Sequence, residues 1–262
     1  MSNVLTCSAV LHTIRVLAHN GPVRIDLARW QGRLVVTKRV LGIAPDVASR
    51  LGREAEVAGR LRHDNIVPLL AVKGDVLVYA YCPGVNLAEL IDAGHLGAGR
   101  MEQIMTGVLA ALEFAHARGV IHLDVKPSNI LVRGSQALLT DFGFAKDLAL
   151  ANITSEHALL GTPGYMAPEQ FRGIRDDPRS DIFAAAAVLY HMLAGEPPFG
   201  RDALRFLTGD DSVRLTPLSG RAAAFNEPVS QALSRDPEDR FASVSAFRAA
   251  LQPVFPAATI SA

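Results

Sequence analysis

Apolar and polar positions follow two different periods along the chain, and each period predicts its own kind of element. Short apolar runs bounded by Gly, Pro, Asn or Gln predict three strands near the start, at residues 13–17, 23–28 and 33–40. A further strand ends at Val76-Leu77-Val78-Tyr79, before the breaking sequence Cys82-Pro83-Gly84. The first eighty residues are therefore predicted to be rich in β-structure.

Helical periodicity appears between residues 45 and 61. Side chains recur there at steps of three and four and so share one helix face, at Val47, Leu51, Glu54, Ala58 and Leu61. Glu54 is the only charged residue on this stripe, and a carboxylate in a core costs several kcal/mol unless it is paired. Glu54 therefore requires a cation, unless the stripe is narrow and the carboxylate reaches solvent.

Two more segments predict helices. An amphipathic pattern over residues 101–115 is closed by Gly119. The apolar run from Ile182 to Gly195 is hydrophobic all round, which predicts a buried helix with Asp181 as its cap and Pro197-Pro198-Phe199 as its stop. This run is too short to cross a bilayer and contains a histidine.

Composition excludes several classes. The 262 residues are 49% hydrophobic, and 26 basic against 26 acidic side chains leave no net charge, so no nucleic acid or anionic membrane is expected as a partner. The first residues lack a basic region and a cleavage site for a signal peptide, so a cytoplasmic location is expected. Cys7 and Cys82, far apart in sequence, predict neither a disulfide nor a zinc site.

The candidate chemistry lies in His122-Leu123-Asp124-Val125-Lys126-Pro127-Ser128-Asn129, followed twelve residues after Asn129 by Asp141-Phe142-Gly143. Between the two motifs, residues 130–133 and 137–140 predict a hairpin that turns at Gly134-Ser135 and brings Asp141 back beside Asn129. Two acids, a lysine and an amide in this arrangement suit a divalent metal and a phosphate.

These two motifs resemble the catalytic loop and the metal-binding motif of the eukaryotic-type protein kinases. Val35-Val36-Thr37-Lys38 is similar to the strand that bears the family's lysine, and residues 161–169 resemble the end of its activation segment, closing with Ala167-Pro168-Glu169. The resemblance covers residues 13–251. It implies an α+β, two-lobed fold, in which a small antiparallel β lobe with one key helix precedes a larger, mainly helical lobe.

The expected organisation is an N-terminal segment, an N-lobe, a hinge, a C-lobe and a C-terminal tail, at residues 1–12, 13–80, 81–85, 86–252 and 253–262. The resemblance also pairs Arg240 with Glu169. It identifies the Ser/Thr type, because Lys126 follows Val125 where tyrosine kinases usually carry A-A-R or R-A-A.

The resemblance implies one role for each charged residue. Asp141 and Asn129 hold Mg²⁺, or Mn²⁺ in its place, while Lys38, fixed by Glu54, grips the α- and β-phosphates of ATP. Asp124 orients the substrate hydroxyl and accepts its proton, and Lys126 neutralises the transferred γ-phosphate. Tyr79 is the gatekeeper. The nucleotide-binding residues expected by resemblance are Leu17, Ala18, Asn20, Ile25, Val36, Lys38, Tyr79, Ala80, Cys82 and Leu131.

The sequence departs from the family pattern in two places. The three glycines of the phosphate-covering loop align with Ala18, Asn20 and Val23, which predicts a weaker hold on ATP. Leu123 stands where most relatives carry an arginine that meets a phosphorylated activation segment. The candidate phosphate acceptors Thr154 and Ser155 then lack this cation, so activity without phosphorylation of that segment is expected.

The function expected is transfer of the γ-phosphoryl group of ATP to Ser or Thr of protein substrates. One alternative is a pseudokinase that binds partners without catalysis, which the glycine-poor loop favours and the five charged or amide site residues oppose. The other is a small-molecule kinase of the aminoglycoside phosphotransferase kind, which typically lacks K-P-x-N and A-P-E with a distant arginine. No oligomeric state is predicted.

Overall fold

A computed structural model of the chain describes residues 10–42, 45–94, 96–147 and 162–255. The chain divides into two compact units. The first runs to Arg62 and resumes over Val67–Cys82, whereas the second contains His63–Ile66 and the chain from Pro83 onward. The α+β class expected from the resemblance is confirmed, because the first unit is mainly antiparallel sheet and the second is mainly helical.

The first unit is a five-stranded antiparallel sheet with one helix. The strand order is β1-β2-β3-β5-β4, with bounds β1 His12–Asn20, β2 Val23–Trp30, β3 Arg33–Val40, β4 Leu69–Lys73 and β5 Val76–Ala80. All the strands predicted from sequence are present. Gln31 and Gly32, at φ 50° and 76°, form the tight β2–β3 connection, which has the positive φ angles that match the twist of a hairpin.

Helix α1 (Pro45–Arg60) packs against β3 and β4 with the face predicted from its periodicity. Leu51, Ala58 and Leu61 are buried, and so is Glu54. The opposite face of the sheet contains a second buried carboxylate that the sequence analysis did not single out. Asp26 accepts hydrogen bonds from Arg24 at 2.8 Å and from Arg39 at 3.0 Å, so its charge is compensated from two strands.

The second unit contains two small sheets. Strands β6 (Val85–Asn86), β8 (Ile130–Arg133) and β9 (Gln136–Leu139) form one sheet, and β7 (Val120–Ile121) pairs with β10 (Lys146–Asp147). The β8–β9 hairpin has the predicted turn, with Gly134 at φ 60°. The helices are α2 Leu87–Asp92, α3 Ala98–His116, α4 Pro168–Phe171, α5 Arg179–Ala194, α6 Ala203–Leu207, α7 Asn226–Ala232 and α8 Val244–Leu251.

Helix α5 is buried almost all round, as its composition predicts, and it ends at Ala194 as expected, but the expected cap Asp181 is wrong. Its N-cap is Pro178, and Asp181 lies within the first turn because its carboxylate serves another segment. The helix stops at Gly195, which adopts the left-handed conformation at φ 81° that closes many helices, before the two prolines are reached.

The unit boundaries differ in detail from the expected lobes. Residues 63–66 belong to the second unit because the Asn65 amide donates to the Ala137 carbonyl at 2.7 Å and Ile66 bridges to Leu139. At the other end, Phe255 is buried against Phe225, so the packed chain extends past α8. The Cys82 thiol donates to the Ala80 carbonyl at 3.8 Å, and Cys7 lies outside the described residues. Among the described helices, none is both long and apolar enough for a bilayer crossing.

Candidate active site

The predicted partner of Glu54 is Lys38. The Lys38 ammonium lies 2.7 Å from Glu54 Oε2, and the Glu54 side chain is 2% exposed. The contact with Glu54 places the Lys38 side chain on the face of the sheet against which α1 packs, and Lys38 pairs with Ile25 on β2 and Leu77 on β5. Glu54 therefore does not reach solvent, and the core carboxylate is compensated by a cation from a neighbouring strand.

Most of the residues expected to bind nucleotide in the first unit share this face. The register places Ile25 opposite Lys38, Ala18 opposite Ile25, and Tyr79 opposite Val36. Leu17 lies in a β-bulge between Val16 and Ala18. Ala80 closes β5, with its N–H donating to the Pro68 carbonyl, and Cys82 ends the unit.

The segment aligned with the glycine-rich loop is a closed hairpin. Asn20 pairs with Val23, which leaves Gly21 and Pro22 as the whole connection between β1 and β2. Gly21 has a φ of 56°, a left-handed backbone conformation that glycine adopts without the steric cost that a side chain would add. Val23 pairs onward with Val40, so it is part of the sheet and not of a loop.

The catalytic-loop motif of the second unit forms one hydrogen-bonded group around Asp124. The Lys126 ammonium contacts both carboxylate oxygens, at 3.0 Å from Oδ1 and 2.8 Å from Oδ2. The Asn129 amide donates to the Asp124 carbonyl and to Oδ2, each at 2.9 Å. Because its nitrogen is used in this way, the side-chain oxygen of Asn129 is the atom with which it could bind a cation.

Burial raises the pKa of Asp124 above its ordinary value, while Lys126 opposes the shift and the charge of Asp141 adds to it. The carboxylate is 6% exposed, so the charged form loses most of its hydration. A base with a raised pKa binds a proton more readily than an ordinary aspartate does.

The β8–β9 hairpin positions Asp141 as the sequence predicts. Thr140, the residue before Asp141, donates its N–H to the Asn129 carbonyl at 3.0 Å, and Ile130 pairs with Leu139. Asp141 itself has φ 62°, which is uncommon for a residue other than glycine, and its carboxylate accepts from the Gly143 N–H at 3.2 Å. Leu131, expected at the nucleotide, lies on β8 opposite Leu138.

Comparison with known proteins agrees with this geometry. The profile of the protein kinase domain family matches residues 19–251. The chain belongs to the protein kinase family. It is 35% identical over 228 residues to the serine/threonine-protein kinase Pkn1 of Myxococcus xanthus, covering 81% of this chain and 33% of that protein.

It is also 33% identical over 259 residues to the serine/threonine-protein kinase PknB of Mycobacterium tuberculosis, covering 90% of this chain and 41% of that one. The chain thus spans between about a third and two fifths of the length of these relatives. At the level of the domain, the expected Ser/Thr kinase class is confirmed. Family membership implies the use of ATP and a divalent metal ion.

Asp181 hydrogen-bonds to the backbone of residues 122–129, a contact that the sequence analysis did not predict. Its carboxylate accepts the N–H groups of His122 and Leu123, each at 2.8 Å, and contacts His116 Nε2 at 2.7 Å. Burial raises the pKa of Asp181, but His116 and the His122 N–H outweigh this and lower it overall, so the charged form is favoured. The one sequence feature that pointed to this role was an acidic residue directly before a largely apolar run.

Leu123, which the resemblance aligns with the family's arginine, has a left-handed backbone conformation beside the Asp181 contacts. Its φ is 64°, its side chain is buried, and its carbonyl accepts a hydrogen bond from the Gln170 amide at 2.9 Å. A backbone held at both its N–H and its carbonyl can keep an unfavourable φ angle. Thr154 and Ser155 lie outside the described residues, so independence from activation-segment phosphorylation stays a prediction.

The predicted Glu169–Arg240 pair is confirmed. Two parallel hydrogen bonds of 2.6 and 2.7 Å join the guanidinium to the carboxylate, with both side chains almost fully buried. The Ser180 hydroxyl donates to the same carboxylate at 2.6 Å. This pair joins α4 to the segment before α8, which are 71 residues apart in sequence.

The donor set suits a divalent cation that is held together with a nucleotide. Within the described residues there is no group of three or more His, Cys, Asp or Glu side chains that would form an all-protein metal site. Magnesium usually binds through one or two carboxylates together with substrate phosphates and water. Asp141 with the oxygen of Asn129 provides such a partial set of hard oxygen ligands.

Proposed function

We propose that this chain is a catalytically active kinase domain that transfers the γ-phosphoryl group of ATP to Ser and Thr hydroxyls of proteins, with Mg²⁺ as its metal. The observation that supports this most is the Asp124 group. One buried carboxylate is oriented by Lys126 and Asn129 and lies near the charge of Asp141. Phosphoryl transfer depends on this kind of positioning and charge placement.

Each residue has one task in the proposed reaction. Asp124 accepts the proton of the substrate hydroxyl while the new O–P bond forms and the bond from the γ-phosphorus to the β-phosphate oxygen breaks, which releases ADP. Lys126 neutralises the transferred group, and Lys38, fixed by Glu54, holds the α- and β-phosphates. Magnesium held by Asp141 and Asn129 supplies charge neutralisation at the phosphates when it is bound.

The decisive experiment uses radiolabelled ATP, Mg²⁺ and a generic Ser/Thr substrate. We expect phosphate incorporation by the wild type, and its loss in Lys38→Ala, Asp124→Asn and Asp141→Ala, with a cooperative melt retained in each variant. Asp75→Asn, in the exposed β4–β5 turn, is the matched control and should stay active. Replacing Mg²⁺ with Mn²⁺ tests the choice of metal.

Two outcomes would contradict the proposal. Nucleotide binding without any phosphate transfer would favour the pseudokinase alternative, for which the glycine-poor β1–β2 hairpin is the supporting feature. Transfer to a panel of small alcohols but not to protein would favour a small-molecule kinase. Loss of the cooperative melt in the three variants would mean that they are structural residues.

A further inference from the structure

Both oxygens of the Glu54 carboxylate have a hydrogen-bond donor. One donor is Lys38, and the other is the hydroxyl of Tyr79. The Tyr79 hydroxyl donates to Glu54 Oε1 at 2.7 Å, while the Lys38 ammonium lies 2.7 Å from Oε2. Tyr79 is itself 8% exposed, so this hydrogen bond lies in the core of the first unit. A buried carboxylate oxygen that lacks a donor carries a desolvation cost, which the tyrosine removes.

The sheet register explains why these two donors meet one carboxylate. Tyr79 pairs with Val36 across the β3–β5 ladder, and Lys38 is two residues further along β3, so the two side chains project from one face in a diagonal arrangement. Helix α1 presents Glu54 to that face. Donors on two different strands therefore hold the carboxylate at both of its oxygens.

Helix α1 benefits from this second point of attachment. It contains Gly52 and Gly59, each of which lowers helix stability by about 1 kcal/mol relative to alanine, and both glycines are exposed on the outer side of the helix. The orientation of Glu54 is thus set by the strands that it contacts more than by the rigidity of its own helix.

We propose that Tyr79 is a positioning residue for phosphotransfer: its hydroxyl holds Glu54 in the orientation that fixes the Lys38 ammonium. This rests on the proposed function of Lys38 as the phosphate-gripping cation. The ring of Tyr79 provides the apolar surface expected beside the nucleotide. Its hydroxyl has the separate role of orienting Glu54. Tyr79→Phe removes the second role and keeps the ring.

The test is a double-mutant cycle with wild type, Tyr79→Phe, Glu54→Gln and the double variant. We expect Tyr79→Phe to lower kcat/KM about tenfold, the factor typical of losing one hydrogen bond to a charged group. In the Glu54→Gln background the same change should matter less than about twofold, because residues that act through one another are not additive. An equal loss in both backgrounds, or a loss under about twofold in the wild type, would overturn the proposal.

A matched control removes a different tyrosine hydroxyl. Tyr190 on α5 donates to the Thr216 carbonyl at 2.9 Å, so Tyr190→Phe also deletes one partly buried hydrogen bond. It should leave kcat/KM within about twofold of wild type. A loss as large as that of Tyr79→Phe would mean that deleting any buried tyrosine hydroxyl lowers activity, and the positioning role would be rejected.

Calorimetric binding of the non-hydrolysable analogue AMP-PNP with Mg²⁺ separates this inference from the proposed function. If the wild type transfers no phosphate, the proposed function fails, yet the cycle measured on Kd still reports on Tyr79. A several-fold weaker Kd in Tyr79→Phe, absent in the Glu54→Gln background, supports the positioning role. An unchanged Kd in a protein that transfers no phosphate overturns it, as does a wild type that binds no analogue.

Discussion

At the scale of single residues, the electrostatics of Asp124 make a prediction about pH. Burial raises its pKa, and Lys126 limits the rise. A general base works only when it is ionised, so kcat/KM falls as the pH drops through this raised pKa. We expect the acid limb of the pH–rate profile at a higher pH than the ordinary aspartate value of 3.8 allows.

Changing Lys126 should move this limb in a known direction. Lys126→Met removes the cation that favours the charged form of Asp124, so the pKa rises further and the acid limb shifts to higher pH. Lys126→Met also lowers the plateau, but the position of the limb is a separate readout. Lys73→Met, which removes the ammonium that lies over the Trp30 ring, should leave the limb in place. A limb that stays or moves to lower pH in Lys126→Met would exclude Asp124 as the titrating base.

At the scale of elements, alanine substitutions at two glycines within helices are expected to change stability in opposite directions. A Cβ at Gly52 on α1 would meet no atom within 4 Å, so Gly52→Ala should raise the free energy of unfolding by about 1 kcal/mol through helix propensity alone. Denaturant unfolding monitored by circular dichroism measures this change.

Gly107 on α3 is the matched control, because its surroundings reverse the sign. A Cβ there would lie 2.7 Å from Asn65 Nδ2 and 3.3 Å from the Ala137 carbonyl oxygen, the two groups that hydrogen-bond to each other. Gly107→Ala should therefore destabilise the protein by about 1–3 kcal/mol, the usual cost of overpacking. Stabilisation by both substitutions would show that close packing at Asn65 is not what requires the glycine.

At the scale of the whole molecule, the Glu169–Arg240 pair connects distant parts of the second unit. Arg240 also donates to the carbonyls of Ser234, Arg179 and Arg235, so its removal leaves the buried Glu169 carboxylate without its cation and takes one donor from several backbone oxygens. Breaking a buried pair from one side typically costs about 3–5 kcal/mol. We expect Arg240→Ala to lower the free energy of unfolding by that amount and the Tm accordingly.

An exposed arginine with similar partners provides the comparison. Arg205 pairs with Asp202 and Asp210, at 57% exposure of its side chain, where solvent screens the charges. Arg205→Ala should change the Tm little. If Arg240→Ala melted like Arg205→Ala, the buried pair would contribute nothing beyond a surface contact.

The sequence by itself determined the periodic elements and the local motifs. Alternation gave the strands around Lys38, and steps of three and four placed Glu54 on the buried face of a helix. The short hairpin brought Asp141 back towards Asn129. These features are local, because periodicity and turn residues act over a few neighbouring positions. The family resemblance supplied the roles and the distant Arg240 pairing.

Only the tertiary structure decided which distant groups meet. The hydroxyl of Tyr79 donates to Glu54, 25 residues away in sequence. Asp181, in the first turn of α5, accepts hydrogen bonds from backbone amides 58 and 59 residues away. Gly107 is required because Asn65 and Ala137 approach it, while Gly52 faces open space. Such contacts depend on how strands and helices pack against each other. The pattern of apolar residues within one segment does not indicate which polar atoms of another segment will lie beside it.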